Sequence, residues 1–423
     1  MDEMKDLFAS LFDAAIRAAD PGPAMARLLP DPPRGRTVVI GAGKGSASMA
    51  AAFERMWDGP LSGLVVTRYG YATPCQRIEI VGAAHPVPDG AGLEAAARML
   101  DLVGGLGSGD LVVALISGGG SSLLPAPPDG MTLQDEAAVN AALLASGAPI
   151  SAMNTVRKHL SRIKGGRLAL AAWPARVITY VVSDIPGDNP AFVASGPTIA
   201  DPCGRQEALD IVRAYGIALP QAALRHLARD DCAAPRPDDP RLAGNVVHVV
   251  ASAAQSLEAA ARRAAELGID CAILSDSIEG EARDVALVHA AIAREVRLRH
   301  RPFPPPILLL SGGETTVTLA DDAGQGGRNT EFLLAFAMAV EGVAGIHAFA
   351  ADTDGIDGSE DNAGAFADHG SAARMRAAGV DPRAALAGNR SWRAFDAIGD
   401  LFVTGPTGTN VNDFRAIHIG GDG

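Results

Sequence analysis

A strand that runs straight into a glycine-rich turn is the first segment of the chain with groups suited to phosphate chemistry. Residues 38–50 read VVIGAGKGSASMA, and the turn contains Gly41, Gly43 and Gly45. Glycine lets the backbone approach a phosphate, and the helix that follows offers free N–H groups and a positive dipole end. The turn is not a Walker A motif, and Ser46 occupies the last glycine position of a dinucleotide fingerprint. Lys44 adds an ammonium group, so the turn predicts an anion site; the alternative is a solvated loop lysine.

Two further apolar strands end in Ser-Gly-Gly, one in each half of the chain. Residues 110–122 read DLVVALISGGGSS, and residues 306–316 read PILLLSGGETT. Successive glycine N–H groups flanked by hydroxyl groups suit a carboxylate or a phosphate. Ligands of open α/β sheets bind beyond the carboxyl ends of strands, so these loops predict a ligand in a cleft between two domains. The predicted binding residues are Ser117, Gly118, Gly119, Gly120, Ser121, Ser122, Ser311, Gly312, Gly313 and Glu314.

One segment concentrates basic residues in an otherwise acidic chain. Residues 154–167 read NTVRKHLSRIKGGR. Arg157 and Lys164 are seven positions apart, a spacing that predicts one shared helix face. Both residues are candidates for substrate binding, and the alternative is a solvated helix face.

A long aperiodic loop follows another strong strand. Residues 183–198 read SDIPGDNPAFVASGPT. A loop of this length favours a functional role. Asp184 lies at the strand end, where it could orient or deprotonate a hydroxyl group or could cap a turn. Asn189 is a further candidate for binding.

Arg328 lies beside two glycines at a predicted helix start, in the segment GGRNTE of residues 326–331. A guanidinium group can bind two phosphate oxygens at once. The helix dipole disfavours a cation at this end, so an anion between Arg328 and the helix would explain its position. The alternative is an ordinary surface arginine.

Carboxylates cluster after another predicted strand, in DTDGIDGSED of residues 352–361. The segment resembles the start of a calcium loop, but Ile356 occupies a ligand position. Asp352 and Asp354 are candidate ligands for the Mg²⁺ of a nucleotide, or parts of ordinary Asp-Gly turns.

A last segment, TGPTGTNVND of residues 404–413, either completes the cleft or forms a C-terminal turn, and its candidates are Thr404, Thr407 and Asn410.

Short apolar runs alternate with Ala-rich helical stretches along the chain. This alternation predicts two three-layer α/β/α domains, a Rossmann-like parallel sheet in the first and a mostly parallel, mixed sheet in the second. The segment 228–244 is rich in Pro and Asp and is expected to join them. The predicted domains are residues 1–235 and 236–423. The predicted strands are Thr37 to Ile40, Gly63 to Thr67, Asp110 to Ile116, Val177 to Val182, Val246 to Ala251, Pro306 to Leu310 and His347 to Ala350.

Composition narrows the class of protein. The chain has 423 residues, a net charge of -13 and 4 cysteines without a CxxC pair. The acidic balance argues against a nucleic-acid partner, and the dispersed cysteines argue against a disulfide framework or a zinc site. No signal peptide or apolar stretch of membrane-spanning length is evident, so a cytoplasmic protein without membrane contact is expected.

Together these segments resemble the class II glycerate 2-kinases, a family whose C-terminal half is called the MOFRL domain. The resemblance also uses HPVPD at residues 85–89, and its motifs run in order from residue 38 to 413. It implies two α/β domains with the active site in their cleft. It also implies transfer of the γ-phosphate of ATP to the 2-hydroxyl of D-glycerate with Mg²⁺. The family's catalytic lysine and arginine fall on Lys44 and Arg328. The sequence does not fix the oligomeric state, and a homodimer is one option.

Two other functions compete with this one. The first is a hydroxypyruvate reductase, which would use the residue 41–46 turn for a nicotinamide cofactor. An acidic residue is then expected after the next strand, whereas that strand ends at Arg68, which would suit only a 2′-phosphate. The second is a non-catalytic sensor on the same scaffold, and the presence of both Lys44 and Arg328 argues against it.

Overall fold

The chain folds into two compact units in a computed structural model that describes residues 2–320 and 322–421. The N-terminal unit is Pro21–Val250. The C-terminal unit contains the chain from Ala251 onward together with the segment before Pro21. The helices are α1 (Asp2–Ala18), α2 (Pro21–Arg27), α3 (Ser46–Met56), α4 (Gly90–Val103), α5 (Gly120–Leu123), α6 (Leu133–Ala145), α7 (Ile150–His159), α8 (Arg167–Ala171), α9 (Arg205–Ala214), α10 (Gln221–Leu227), α11 (Ala253–Glu266), α12 (Ala282–Arg299), α13 (Arg328–Ala339), α14 (Ser371–Ala377), α15 (Pro382–Ala387) and α16 (Ser391–Asp396).

The strands form one sheet of six in each unit and a short two-stranded pair. All seven predicted strands are confirmed, as β1, β2, β4, β5, β6, β9 and β11. The strands are β1 (Thr37–Ala42), β2 (Ser62–Arg68), β3 (Ile78–Ala83), β4 (Leu111–Ile116), β5 (Arg176–Val182), β6 (Val246–Ala251), β7 (Cys271–Ser275), β8 (Gly280–Glu281), β9 (Ile307–Gly313), β10 (Thr315–Thr316), β11 (Ile346–Asp352), β12 (Gly364–Asp368), β13 (Leu401–Phe402) and β14 (Asp413–Ile419).

The N-terminal sheet has the order β3-β2-β1-β4-β5-β6. The pairs β3–β2, β2–β1, β1–β4 and β4–β5 are parallel, as predicted. This is the strand order of dinucleotide-binding folds, in which ligands bind where the order reverses, between β1 and β4. Ala42 is paired with Ile116, so the turns that follow β1 and β4 leave the same edge of the sheet side by side.

Burial explains why these runs form strands. Every residue of β1 and of β4 is buried, which is expected where helices cover both faces of a parallel sheet. The core is built from Val, Ile, Leu and Ala of β1, β2, β4 and β5, packed against α4. Asp89 begins α4 by accepting a 3.0 Å hydrogen bond from the N–H of Gly92.

The C-terminal sheet has the order β13-β12-β11-β14-β9-β7. It is mixed, as predicted, but parallel pairing is confined to β7 and β9. The other four pairs, β13–β12, β12–β11, β11–β14 and β14–β9, are antiparallel. The last strand, β14, inserts between β9 and β11 and runs against both, and its own sequence gives no sign of that placement.

The compact units differ from the predicted domains 1–235 and 236–423 at both ends. Helix α1 packs on the C-terminal sheet, with Phe8 and Phe12 against Phe349 at ring distances of 5.9 and 5.7 Å. Strand β6 belongs to the N-terminal sheet, so the Pro-rich segment 228–244 lies inside that unit rather than between units. Cys232 of this segment is buried in a helical cluster of the same unit, which explains why it is not a free linker.

Within the described residues, none of the helices combines the length and apolar composition that crossing a bilayer requires.

Candidate active site

The turns after β1 and β4 interlock in the N-terminal unit. The N–H of Lys44 donates a 2.9 Å hydrogen bond to the carbonyl of Gly118. The N–H of Gly45 donates to Oγ of Ser117 at 3.0 Å, and Ser46 Oγ lies 3.1 Å from the same hydroxyl. Gly43 has a φ of 143°, and a side chain there would collide with Ser117. These bonds fix the backbone that carries Lys44, and the two predicted turns form one site.

Three polar side chains converge on Gly118 and Gly119. A methyl group at Gly118 would collide with the carboxylate of Asp184. A methyl group at Gly119 would lie 3.0 Å from Nε2 of His85 and 3.4 Å from Cγ of Lys44. Gly119 also has a φ of 80°, in the region that favours glycine. The structure therefore brings Lys44 and Asp184 together, as candidates from distant segments, and adds His85.

His85 was not among the predicted site residues, although its HPVPD motif contributes to the family resemblance. Burial lowers the pKa of His85 to about 4, and the positive charges of Lys44 and Arg68 act in the same direction. An imidazole with this pKa is neutral at pH 7. Nothing local in the sequence indicates its position, because Lys44 lies 41 residues earlier and Gly119 lies 34 residues later.

The serines of the β4 turn connect to the basic segment through buried hydroxyl and amide groups. Oγ of Ser121 lies 2.9 Å from Oγ of Ser195, which donates to Oδ1 of Asn154 at 3.0 Å. Arg157 donates to Oδ1 of the same asparagine at 3.2 Å and to Oδ1 of Asn140 at 2.9 Å. Burial lowers the pKa of Arg157. The structure thus places Arg157 behind the turn, where it supports these amides.

The predicted helix face shared by Arg157 and Lys164 is not formed. Helix α7 ends at His159, and Lys164 follows in a turn before Gly165 and Gly166, whose φ values are 63° and 83°. Nζ of Lys164 bonds Oε1 of Glu136 at 2.6 Å, and both side chains are buried. The ammonium is neutralised by the protein, so the segment is a charge-paired core element rather than a solvated face.

Asn189 lies at the surface of the 183–198 loop. Its Oδ1 accepts a hydrogen bond of 3.1 Å from the N–H of Ala191, so the side chain supports its own turn. Its predicted role in binding stays a prediction.

Arg328 opens helix α13 and is surrounded by carboxylates. Its Nε donates to Asp413, its Nη1 to Glu314 and its Nη2 to Asp352, each at 2.7 Å. Despite burial, which disfavours the cation, Asp413, Asp352 and Glu314 raise the pKa of Arg328. A guanidinium group has five N–H bonds, so this arrangement leaves two for a further acceptor. Arg328 is therefore a fixed, permanently charged donor.

Asp357 holds the start of the same helix. Its carboxylate accepts hydrogen bonds from the N–H groups of Asn329 and Thr330, at 2.9 and 2.8 Å. The Oγ1 of Thr330 donates to it at 2.9 Å. A carboxylate at this position satisfies orphan N–H groups and complements the helix dipole. It fixes the first turn of the helix, which carries Arg328.

The pKa values of two carboxylates beside Arg328 are shifted in opposite directions. Burial raises the pKa of Asp352, and the negative charges of Asp354 and Asp413 raise it further. The positive charge of Arg328 acts in the opposite direction. At Asp413 burial also favours the neutral acid, but Arg328 and Arg415 outweigh it and lower the pKa. Arg415 is fully buried and pairs with Asp413 from the other side. Asp413 is thus a permanent anion that positions Arg328.

The second Ser-Gly-Gly segment is not an open loop. Ser311, Gly312 and Gly313 are the last residues of β9 and pair with Arg415, Phe414 and Asp413 of β14. All three are buried, and Ser311 Oγ lies 3.0 Å from Nε2 of His289. Their backbone pairs with β14, a partner about a hundred residues away in sequence, and their predicted role in binding stays a prediction. Glu314, the next residue, projects beyond the strand to Arg328.

The candidate metal ligands lie in a tight turn after β11. Asp352 Oδ1 accepts a 3.0 Å hydrogen bond from the N–H of Asp354, and Asp354 Oδ1 accepts one of 2.9 Å from Ile356. The described part of the chain contains no group of three or more His, Cys, Asp or Glu side chains arranged to bind a metal ion.

The segment that contains Thr404, Thr407 and Asn410 lies against this turn. The N–H of Thr407 donates to the carbonyl of Asp354 at 3.1 Å. Thr404 Oγ1 donates to the adjacent carbonyl of Gly405 at 2.8 Å, and Asn410 Oδ1 accepts from the N–H of Asn412 at 3.0 Å. The segment therefore borders the carboxylate turn, whereas the Thr404 and Asn410 side chains make local bonds.

Known proteins match the chain over nearly its whole length. Residues 7–228 match the family model described as "Domain of unknown function (DUF4147)", and residues 307–413 match the MOFRL family. A protein of Agrobacterium vitis, provisionally named a hydroxypyruvate reductase, is 55% identical over 98% of this chain and 94% of its own. A D-glycerate 2-kinase of Thermotoga maritima is 38% identical over 97% of each chain.

A solved structure matches equally fully. The crystal structure of glycerate kinase from Thermotoga maritima has a TM-score of 0.88 and 36% identity, and the match covers 99% of this chain and 100% of that one. The matched family models, the full-length relatives and this structure show that the chain belongs to the class II glycerate 2-kinase family, with its C-terminal MOFRL domain.

Proposed function

We propose that this chain is a glycerate 2-kinase that transfers the γ-phosphate of ATP to the 2-hydroxyl of D-glycerate, giving 2-phosphoglycerate and ADP. The observation that carries the proposal is the 38% identity to a D-glycerate 2-kinase over 97% of both chains. Within that match, Lys44 and Arg328 each lie on a turn whose backbone is held by the hydrogen bonds described above. Phosphoryl transfer asks a protein mainly to position the hydroxyl group and to neutralise charge.

Lys44 is proposed to neutralise the transferring phosphoryl group. Its backbone is held by Gly118, and its side-chain stem passes beside Gly119 and His85. A fixed ammonium beside a glycine-rich turn places charge and N–H donors where negative charge develops, without reorganisation during the reaction. Asp184, which lies over Gly118, is proposed to orient the substrate hydroxyl.

Arg328 is proposed to bind phosphate oxygens with the two N–H groups that its carboxylate partners leave free. The positive charges of Arg328 and Arg415 are offset by Asp413 and Glu314, with Asp352 as a further carboxylate in contact with Arg328. Little net positive charge is left for a bare triphosphate, so the nucleotide is expected to bind with a divalent cation.

The residues present fit Mg²⁺ in their donor chemistry. Mg²⁺ takes oxygen ligands and usually binds one or two carboxylates together with phosphates and waters. Asp352 and Asp354 supply carboxylate oxygens in one turn, although both oxygens of Asp352 already accept hydrogen bonds. Mg²⁺ held there would supply neutralisation of phosphate charge.

A hydroxypyruvate reductase remains the competing function, because the Agrobacterium vitis relative carries that name. Reduction would require a nicotinamide cofactor at the β1 turn. The turn has Ser46 where the fingerprint has its last glycine or alanine, and β2 ends in Arg68 rather than an acid. These features favour phosphate binding over a dinucleotide that carries a free ribose.

The test is turnover of D-glycerate with Mg-ATP, followed by ADP release and by enolase-coupled detection of 2-phosphoglycerate. A parallel reaction contains hydroxypyruvate with NADH or NADPH. ADP release with an immediate enolase response is expected, and a delayed response that needs a mutase would indicate the 3-phosphate. Oxidation of the nicotinamide without ADP release would replace the kinase with the reductase.

A further inference from the structure

We propose that His85 accepts the proton of the substrate hydroxyl group during phosphoryl transfer. This inference rests on the proposed function and concerns the same site. His85 is not among the residues that the sequence patterns assign to catalysis.

The sheet itself brings His85 to the site. Strands β1, β2 and β3 are parallel neighbours, with Ala42 paired with Val66 and Arg68 paired with Ala83. Each strand therefore ends at the same edge. Lys44 follows β1 by two residues, Arg68 ends β2, and His85 follows β3 by two residues. Three strand ends thus supply two cations and one imidazole to one place.

The position of the ring is defined by the β4 turn. A methyl group on Gly119 would lie 3.0 Å from both Nε2 and Cδ2 of His85 and 3.4 Å from the stem of Lys44. The absence of a side chain at Gly119 therefore leaves room beside Nε2. Anything that bound the ammonium of Lys44 and the N–H groups of this turn would pass close to the imidazole.

The ring has an unused acceptor. Across residues 2–320 and 322–421, neither nitrogen of His85 has a hydrogen-bond partner. The ring is half-buried. A neutral imidazole has one nitrogen that accepts a proton. Lys44 and Arg68 disfavour the imidazolium form, which keeps that acceptor free at neutral pH.

Two carboxylates lie near the ring. Asp184 lies over the adjacent Gly118. Asp89, in the loop of His85 itself, accepts bonds from Tyr69 Oη at 2.8 Å and from the N–H of Gly92 at 3.0 Å. Burial tends to raise the pKa of Asp89, but these hydrogen bonds outweigh burial and lower it. Asp89 is therefore ionised at neutral pH.

The 2-hydroxyl oxygen forms a bond to the γ-phosphorus as the bond from that phosphorus to the β,γ-bridging oxygen breaks. The bond pair leaves on ADP, and the hydroxyl proton moves to the imidazole. In a loose transition state this proton becomes acidic late, so a weak base is sufficient. The imidazolium then forms next to new phosphate charge and loses its proton to solvent.

The experiment compares His85→Ala with wild type in the ADP-release assay, with and without added imidazole. We expect kcat to fall about a hundredfold or more, as for removal of a general base. The KM for ATP should change far less, and imidazole should restore at least about a tenth of the lost kcat. Methylimidazoles of higher pKa should restore more, which a purely structural role of His85 would not produce.

His226→Ala is the matched control. His226 is a half-buried histidine of α10 in the same unit, away from these strand ends, and its removal should leave kcat unchanged. His85→Gln is the second variant if His85→Ala fails to fold, and it should also lose kcat. If wild type does not turn over glycerate, the proposed function fails and this inference fails with it. If wild type is active, two results would contradict only the role of His85 as proton acceptor. One is a kcat within threefold of wild type in either variant, and the other is a loss of kcat in His85→Ala that imidazole does not rescue.

Discussion

The side-chain stem of Lys44 and the imidazole of His85 both lie close to Gly119, so the charge of Lys44 should affect the ring. Burial lowers the pKa of His85 to about 4, and Lys44 is the larger of the two neighbouring charges that contribute. In Lys44→Met the apolar stem is retained and the charge is lost. We expect the pKa of His85 to rise toward 6.5 but to stay below it, because burial remains. Proton NMR titration of the His85 ring measures this value.

Arg27→Met controls for the loss of one positive charge. Arg27 is an exposed residue of α2 in the same unit and should leave the titration unchanged. An unchanged His85 pKa in Lys44→Met would mean that the two side chains are not neighbours in solution.

Arg328 shows that the geometry of a cation matters as well as its charge. Three different nitrogens bond three carboxylates, each at 2.7 Å. In Arg328→Lys the charge is conserved, but one ammonium cannot reproduce the planar fork. We expect kcat to fall about 10²- to 10³-fold, as for removal of a preorganised donor. The ADP-release assay measures kcat, and urea unfolding checks that the variant is folded.

Arg376→Lys is the matched control on the surface of the same unit, where Arg376 pairs with Glu341 and half of its side chain is exposed. It should leave kcat unchanged. A kcat within twofold of wild type in Arg328→Lys would show that Arg328 is only a structural cation.

At the scale of elements, the β4 turn depends on the small size of Gly118. Its φ is not in the left-handed region, so alanine is acceptable to the backbone, but the added methyl group would displace the Asp184 carboxylate. In Gly118→Ala we expect kcat to fall about a hundredfold, because displacement of a positioning group by about an ångström costs that much. The free energy of unfolding should change little, since only a side-chain end must move. Steady-state kinetics and urea unfolding test both parts.

Gly90→Ala is the control for the same substitution. Gly90 begins α4, and no atom lies within 4 Å of a methyl group there, so kcat should not change. Unchanged kcat in Gly118→Ala would mean that Asp184 is not needed where the structure places it.

The elements also explain which parts of the site could be predicted. The turns lie after β1 and β4, where the sequence places them, because apolar runs followed by glycines are local signals and parallel neighbours end at one edge. The pairing of Lys164 with Glu136 could not be predicted, because Glu136 lies in another helix. The sequence predicts a loop at Ser311–Gly313, and the strand found there depends on pairing with β14, a distant segment. His85 was missed for the same reason, since its neighbours come from other strands.

At the scale of the whole molecule, buried neutral histidines make stability depend on pH. Burial lowers the pKa values of His85, His159 and His289 to about 4 each. In the unfolded chain their ordinary pKa is about 6.5, so unfolding takes up protons between these values. Protonation of these histidines therefore favours the unfolded state as the pH falls through 6.5. The free energy of unfolding decreases down to about pH 4.

Urea unfolding between pH 7 and pH 5 should show falling stability, with an uptake of about three protons from these groups near pH 5. His289→Asn should reduce that uptake by about one proton. Stability that stays constant or rises over this range would contradict the burial of neutral rings.

The N-terminal helix illustrates why domain limits could not be taken from chain order. An amphipathic helix predicts that one face is covered but not which surface covers it. Here Phe12 of α1 lies 5.7 Å from Phe349, 5.4 Å from Phe402 and 5.9 Å from Phe414, measured between ring centres. The first helix therefore completes the core of the C-terminal unit, whose main segment begins more than two hundred residues later.

Phe12→Ala should consequently destabilise the C-terminal sheet by about 3–5 kcal/mol, the usual cost of deleting a buried aromatic side chain. Hydrogen exchange locates the effect, because protection should fall at the amides of β11 and β14, on which the ring packs. Leu144→Ala, with 66% of the side chain exposed, is the control and should change stability by less than about 0.5 kcal/mol. If Phe12→Ala left β11 and β14 fully protected, α1 would not be part of that core in solution. The C-terminal unit would then not include α1.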